Sequence, residues 1–230
     1  GRCPTAAVRQ AGYYARRRNV EGLGVGRRIA VFGTGYLGAT HAACMAELGH
    51  EVLGVDVDET KLAKLAAGEL PFYEPGLPAV LRRNLNSGSL RFTTSYEEAA
   101  DFASVHFIAV GTPQKHGELA ADLRYVDAVI ETLAPLLTRP AAILGKSTVP
   151  AGTAARLAAR VRILAPASEQ VELAWNPEFL REGFAVADTL HPDRIVLGLE
   201  SGRGAYAESA AREVYATQLT ANTPFLVTDL

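Results

Sequence analysis

Gly33-Thr34-Gly35-Tyr36-Leu37-Gly38 follows directly on the apolar run Ile29-Ala30-Val31-Phe32 and opens into an Ala-rich stretch, residues 36–48. Glycines in the spacing G-x-G-x-x-G, placed between a strand and a helix, leave a chain few options. The first makes the tight turn out of the strand. The second lets the backbone approach a pyrophosphate, and the third lets helix and strand pack closely. The helix then begins with unpaired N–H groups and a partial positive charge at the same spot. On its own the pattern is weak, but here the strand before it and the helix after it are both present. A βαβ unit with a phosphate-binding turn is the expectation; a tight turn with no ligand is the competing reading.

The alternation continues along the chain. Residues 51–57 read as a strand, 59–67 as a helix capped by Asp58, and 77–85 as a helix. Residues 91–94 are a brief strand, and Ser95 caps a helix through Asp101 with acids in its first turn. Residues 105–110 and Ala141–Gly145 are nearly continuous apolar runs, as strands buried on both faces require. Residues 122–137, 151–162 and 204–218 read as helices; Val171–Trp175, 194–199 and 224–227 read as strands. Strands alternating with helices predict an α/β fold: a doubly wound, mostly parallel sheet, Rossmann-like, with helices on both faces.

Charge and composition narrow the chemistry. The formal net charge is −2 over 230 residues, but residues 1–28 hold seven arginines against one acid, Glu21. That local +6 leaves −8 on the remainder, and a mildly acidic body argues against a nucleic-acid partner. No stretch approaches roughly 18 uninterrupted apolar residues, so a membrane span is not expected. Cys3 and Cys44 are too few for a disulfide framework or a thiolate zinc site. His41, His50, His106, His116 and His191 never fall at metal-ligand spacing. Residues 1–27 are expected to be a disordered extension or a mis-started segment, with a targeting or polyanion-binding arm as alternatives. The chain opens on Gly1 and its single methionine is Met45, so a piece of a longer product is expected.

Ligands of open α/β sheets sit beyond the carboxyl ends of the strands, so the residues there are the candidates. Asp56 ends the second strand 18 residues after Gly38, the position of a carboxylate that binds the adenosine ribose hydroxyls. It would repel a 2′-phosphate, which favours NAD over NADP. Lys61, in the first turn of the next helix, is placed beside the adenosine or a phosphate, or is simply solvated. Val110-Gly111-Thr112-Pro113-Gln114, then Ser147 and Thr148, then Asn176-Pro177-Glu178-Phe179-Leu180-Arg181-Glu182-Gly183 follow the later strands. Glu178 and Glu182 share one face if this stretch is helical, as paired acid/base groups or as helix-start carboxylates favoured by the dipole. Gly145-Lys146-Ser147-Thr148 looks like the tail of a nucleotide-binding Walker loop, but Pro140 stands where that loop needs its glycine.

Six segments in this order resemble the nucleotide-sugar 6-dehydrogenases, the UDP-glucose/GDP-mannose dehydrogenase family. They are residues 31–38, Gly54-Val55-Asp56-Val57-Asp58, Pro71-Phe72-Tyr73-Glu74-Pro75-Gly76-Leu77, Val110-Gly111-Thr112-Pro113, Lys146-Ser147-Thr148-Val149-Pro150 and residues 176–183, with His191-Pro192-Asp193-Arg194 after them. The resemblance spans residues 28–230 and implies an NAD-binding domain there. It implies a cytoplasmic enzyme that oxidises the C6 alcohol of UDP-glucose to a carboxylate with two NAD⁺ and one water, through a cysteine thioester. GDP-mannose and UDP-N-acetyl-hexosamines are the alternative substrates, and a non-catalytic NAD(H)-binding regulator is the rival of a different class. By motif, residues 33–38, Asp56, Lys61, residues 110–114, Ser147 and Glu182 resemble NAD contacts. Thr148 resembles the residue that positions water, Glu178 the acid/base of hydrolysis, and Glu178, Phe179, Leu180, Arg181 and Glu182 the lining of the sugar site. The family's nucleophilic cysteine follows a long linking helix that would start near Leu230. Cys44 sits mid-helix as packing and Cys3 in the extension. The resemblance therefore implies a chain that binds NAD without turnover, cut from an enzyme that is a homodimer or larger homo-oligomer.

Overall fold

β1 (Arg28–Phe32) divides its side chains between two apolar layers, Ile29 and Val31 on one face and Ala30 and Phe32 on the other, all four fully buried. A strand with no wet face belongs inside a sheet covered by helices on both sides. The computed structural model describes residues 26–115, 117 and 120–230; of the extension expected over residues 1–27, residues 1–25 lie outside the described residues, as does His116, whereas Arg27 is tied into the domain, its amide donating to His50 Nδ1 at 3.1 Å. β1 is joined by β2 (Glu51–Val55), β3 (Leu90–Thr93), β4 (Val105–Ile108), β5 (Ala141–Gly145), β6 (Val171–Trp175), β7 (Ile195–Leu199) and β8 (Phe225–Asp229). The sheet order is β3-β2-β1-β4-β5-β6-β7-β8. The chain winds outward from β1 to β3, then returns to the other side of β1 and winds away, as a doubly wound fold does.

The helices are α1 (Tyr36–Glu47), α2 (Glu59–Ala66), α3 (Leu77–Asn86), α4 (Tyr96–Phe102), α5 (Arg124–Leu133), α6 (Thr153–Leu164), α7 (Ala185–Leu190), α8 (Ala205–Val214) and α9 (Ala216–Thr220). Buried residues of α1, α2, α3, α7 and α8 share one core layer with Ile29 and Val31. Those of α4, α5 and α6 share the other with Ala30 and Phe32. The expected caps are present: Asp58 accepts from the amide of Lys61 at 3.0 Å, and Ser95 from that of Glu98 at 3.0 Å.

Several expectations are corrected in detail. The helix expected over 122–137 runs only Arg124–Leu133, and one 3₁₀ turn, Ala134–Leu136, follows it. Pro135 lies in that turn and cannot continue an α-helical ladder. The helix expected over 204–218 breaks at Tyr215 into α8 and α9. The strand expected over 105–110 ends at Ile108, although the Ala109 amide still donates to the Phe32 carbonyl at 2.8 Å. β7 pairs antiparallel with β6, so β7 and β8, parallel to each other, run against the rest of the sheet. A parallel return needs a crossover that carries the chain back to the start of the sheet. The six-residue α7 instead packs beside α1, and β7 begins near the edge where β6 ended.

Gly145, the last residue of β5, has no room for a side chain: a Cβ there would lie 2.3 Å from the ring of Trp175. Gly145→Ala is expected to cost about 1–3 kcal/mol through overpacking. The check is a lower denaturant midpoint at an unchanged slope.

Candidate functional site

The strand register sets five carboxyl ends in one row. Phe32 pairs with Val55 on one side and Ile108 on the other, Ile108 with Gly145, and Gly145 with Trp175. The residues that follow, Gly33, Asp56, Ala109, Lys146 and Asn176, therefore leave the sheet along one edge, on both sides of the reversal between β1 and β4. Residues expected from separate stretches of sequence to share an edge do share it.

The three glycines of the turn answer to different constraints. Gly33 adopts φ +90°, and a Cβ on it would lie 2.8 Å from the Val110 backbone. A Cβ on Gly38 would lie 1.7 Å from the Gly33 carbonyl oxygen. Packing of the protein against itself demands both. Around Gly35, by contrast, a Cβ would meet nothing within 4 Å. Gly35 is the N-cap of α1, with no side-chain cap and no acid in the first turn. The open space lies at N–H groups that lack an i−4 acceptor and carry the positive end of the helix dipole. That cradle fits a pyrophosphate. Tyr36 and Leu37 are partly buried behind it, and Leu37 packs on the core.

Thr34 is fully buried and ties the turn to the end of β2. Asp56 Oδ2 accepts from the Thr34 amide at 2.8 Å, the Thr34 hydroxyl at 2.9 Å and the Lys61 ammonium at 2.9 Å. Its Oδ1 accepts from the Asp58 amide at 3.1 Å. Burial alone would raise the pKa of Asp56; the Lys61 ammonium and the N–H and O–H donors outweigh it and hold the carboxyl below the usual aspartate value.

Across the reversal, the Thr112 hydroxyl donates to the Thr148 carbonyl at 2.8 Å and the Ser147 hydroxyl to the Val110 carbonyl at 2.7 Å. These two bonds staple the loop after β4 to the loop after β5. Gly111, Pro113, Gln114 and Thr148 are exposed, whereas Ser147 is buried with its hydroxyl engaged.

Lys146, which the sequence presented only as part of a look-alike loop, lies buried at the centre of this edge. Its Nζ pairs with Glu178 Oε2 at 3.0 Å and meets Asn176 Oδ1 at 3.2 Å. Asn176 Oδ1 also accepts the Tyr215 hydroxyl at 2.5 Å. Burial would push the lysine down, but Tyr215 and Glu178 beside it outweigh that and hold it above the ordinary lysine value. Lys146, Asn176, Glu178 and Tyr215 line a cavity of about 290 Å³, together with Phe179 and Arg194.

Residues 176–183 are an extended loop and not a helix, so Glu178 and Glu182 do not share a helical face. Pro177 removes a backbone donor and biases Asn176 to extended geometry. Glu178 turns inward to Lys146 with 19% of its side chain exposed, while Glu182 is exposed. Phe179 lies under the Arg194 guanidinium at 4.8 Å, Leu180 is half-buried, and Arg181 pairs with Asp188 at 2.7 Å. Cys44 is fully buried in α1, and burial pushes its thiol well above the ordinary cysteine value, which suits packing and not a nucleophile. Cys3 lies outside the described residues. Among the described residues no three His, Cys, Asp or Glu groups are placed to hold a metal, and no helix is long and apolar enough to cross a membrane.

With this geometry, residues 27–219 match the NAD binding domain of the UDP-glucose/GDP-mannose dehydrogenase family. The chain belongs to that family. It is 40% identical over 201 residues to a UDP-glucose 6-dehydrogenase of Rhizobium meliloti, covering 87% of this chain and 46% of that protein. It is 43% identical over 192 residues to a UDP-glucose 6-dehydrogenase of Pseudomonas aeruginosa, covering 82% and 42%. Among solved structures, a UDP-glucose dehydrogenase from Pyrobaculum islandicum superposes with TM-score 0.81 at 40% identity, over 91% of this chain and 47% of that one. A GDP-mannose dehydrogenase from Pseudomonas aeruginosa superposes with TM-score 0.80 at 32% identity, over 88% and 46%. The chain thus spans less than half the length of these relatives.

Two measurements test the electrostatics. A carboxyl whose folded pKa is depressed stabilises above its unfolded value, about 3.9, and loses that contribution as pH falls through the folded value. Asp56→Asn is therefore expected to melt lower than the parent at pH 7, with the gap closing below about pH 4. Lys146→Met removes the buried ammonium from Glu178, leaves Asn176 Oδ1 only the Tyr215 hydroxyl, and is expected to cost about 3 kcal/mol or more in urea unfolding.

Proposed function

We propose that the protein containing this chain oxidises the C6 alcohol of UDP-glucose to a carboxylate, and that residues 28–230 supply its NAD site and one side of its sugar site. The observation that carries the reading is the meeting of the glycine turn, Asp56 and the Lys146–Glu178 pair along one sheet edge. UDP-glucose as substrate is supported by the two relatives of that name at 40% and 43% identity, against 32% for the GDP-mannose dehydrogenase structure. NAD⁺, when bound, accepts a hydride in each of two oxidations.

Residues 33–38 hold the pyrophosphate through the amides that open α1. Asp56 receives the ribose hydroxyls and repels a 2′-phosphate. A carboxylate offers about four lone-pair directions, and Asp56 already accepts four donors. Oδ1 holds only the Asp58 amide and would accept one ribose hydroxyl; Lys61 would yield its place at Oδ2 to the other and would stay beside the adenosine. Residues 110–114 and Glu182 flank the rest of the cofactor. Ser147 contributes by holding Val110, since its own hydroxyl is engaged.

Glu178 is the proton acceptor for the water that hydrolyses the thioester, held in place by Lys146, and Thr148 positions that water. Phe179, Leu180 and Arg181 line the sugar side. The thiolate that traps the aldehyde is not Cys44, which is sealed in α1. It is assigned, with the linking helix, the sugar domain and the homo-oligomer contact, to the rest of the longer protein.

Titration with NADH and NADPH tests the reading on this chain as it stands. Saturable NADH binding, roughly tenfold or more tighter than NADPH, is expected, with no UDP-glucose oxidation. Absence of NADH binding, or turnover by this chain alone, would overturn it.

A further inference from the structure

Glu74 lies between α2 and α3, within residues 71–77, and is 1% exposed. Its Oε2 accepts the Tyr36 hydroxyl at 2.5 Å and the Gly183 amide at 2.9 Å, and its Oε1 accepts the Val186 amide at 3.4 Å. Tyr36 is the first residue of α1, next to Gly35 of the cofactor cradle. Gly183 directly follows Glu182 in the loop that carries Glu178, and Val186 lies in the first turn of α7. One carboxylate thus grips the turn after β1 and the loop after β6, which reach the site edge from opposite halves of the doubly wound sheet.

The surroundings serve this grip. The Phe72 ring meets the Tyr36 ring edge-on at 5.1 Å, which aims the hydroxyl. Gly183 takes φ +82°, a left-handed turn that points its N–H back at Glu74, and a Cβ there would meet nothing within 4 Å. Backbone conformation, and not lack of space, is what calls for glycine at 183. Burial, with the hydrogen bond and charge of Glu74, pushes the Tyr36 hydroxyl up to about 12, so it stays a donor across the working pH range.

We propose that Glu74 is a positioning residue that fastens the Glu178–Glu182 loop to the cofactor turn through Tyr36, so that a cofactor settling on the turn finds that loop already in register. The proposal rests on the cofactor reading above and names a residue that reading leaves without a role.

Two arms test it on the whole chain. In the ligand-free protein, Tyr36→Phe removes one hydroxyl, leaves the ring contact with Phe72 and leaves Glu74 its two amides. Amide hydrogen exchange at Gly183 and Val186 is expected to speed up while strand amides stay as protected as in the parent. Unchanged protection at both overturns the proposal. In the second arm, NADH is titrated while emission of Trp175, the only tryptophan, reports energy transfer to the bound nicotinamide. Tyr36→Phe and Glu74→Gln are each expected to weaken NADH binding roughly tenfold, and the double variant little further, because both break one link. Losses that multiply, or a lowered melting point with NADH affinity intact, mean a brace for the fold alone and overturn it. If Glu74→Gln does not fold, Tyr36→Phe decides both arms. If the parent shows no saturable NADH signal, the cofactor reading fails, and the exchange arm still decides the clamp.

Discussion

A sheet buried on both faces leaves polar chemistry nowhere to go except its ends. β1, β4 and β5 give their apolar side chains to one layer or the other, with exposed Arg28 at the start of β1 and buried His106 in β4 as the exceptions, and their backbone groups pair with neighbouring strands. The site follows from that exclusion. Because Phe32, Val55, Ile108, Gly145 and Trp175 stand in one row, the residues after them form a single rim. The reversal of winding between β1 and β4 parts the flanking helices there and leaves a place for a ligand.

The rim is held by charge as well as by geometry. A buried ammonium is tolerated only where partners replace its hydration, and Lys146 has them in Glu178, Asn176 and Tyr215. Satisfying that lysine draws in the loop after β6 and the end of α8. Tyr215, where the helix breaks, gives up helical geometry as its hydroxyl reaches Asn176. Asp56 plays the matching part on the other side, gathering Thr34 and Lys61 around the glycine turn.

What could be read from the sequence was local. The glycine spacing, the strand before it and the helix after it lie within a few residues; Gly33 and Gly38 meet the packing constraints their positions implied, and Gly35 has open space around it. Asp56 was readable because a βα unit has a nearly fixed length, and Cys44 because a helix of alanines has no place for a reactive thiol. The stretch 176–183 was open to misreading: two glutamates four apart suit a helix, whereas Pro177 lacks a backbone donor and Gly183 turns left-handed, and the stretch is a loop. Lys146 was masked by the Gly-Lys-Ser-Thr string around it. Its partners lie 30 to 69 residues away, and those of Glu74 up to 112 residues away, so no periodicity links them.

The sequence by itself determined the two apolar layers, the doubly wound class and the glycine turn, since these follow from side-chain period and from backbone freedom at glycine, both properties of neighbouring residues. Only the tertiary structure decided that β7 turns back, that Glu178 faces a buried lysine, and that Glu74 bridges the two halves of the site. Those outcomes depend on which polar groups must find partners once the apolar layers have closed, and that is settled between segments far apart in the chain.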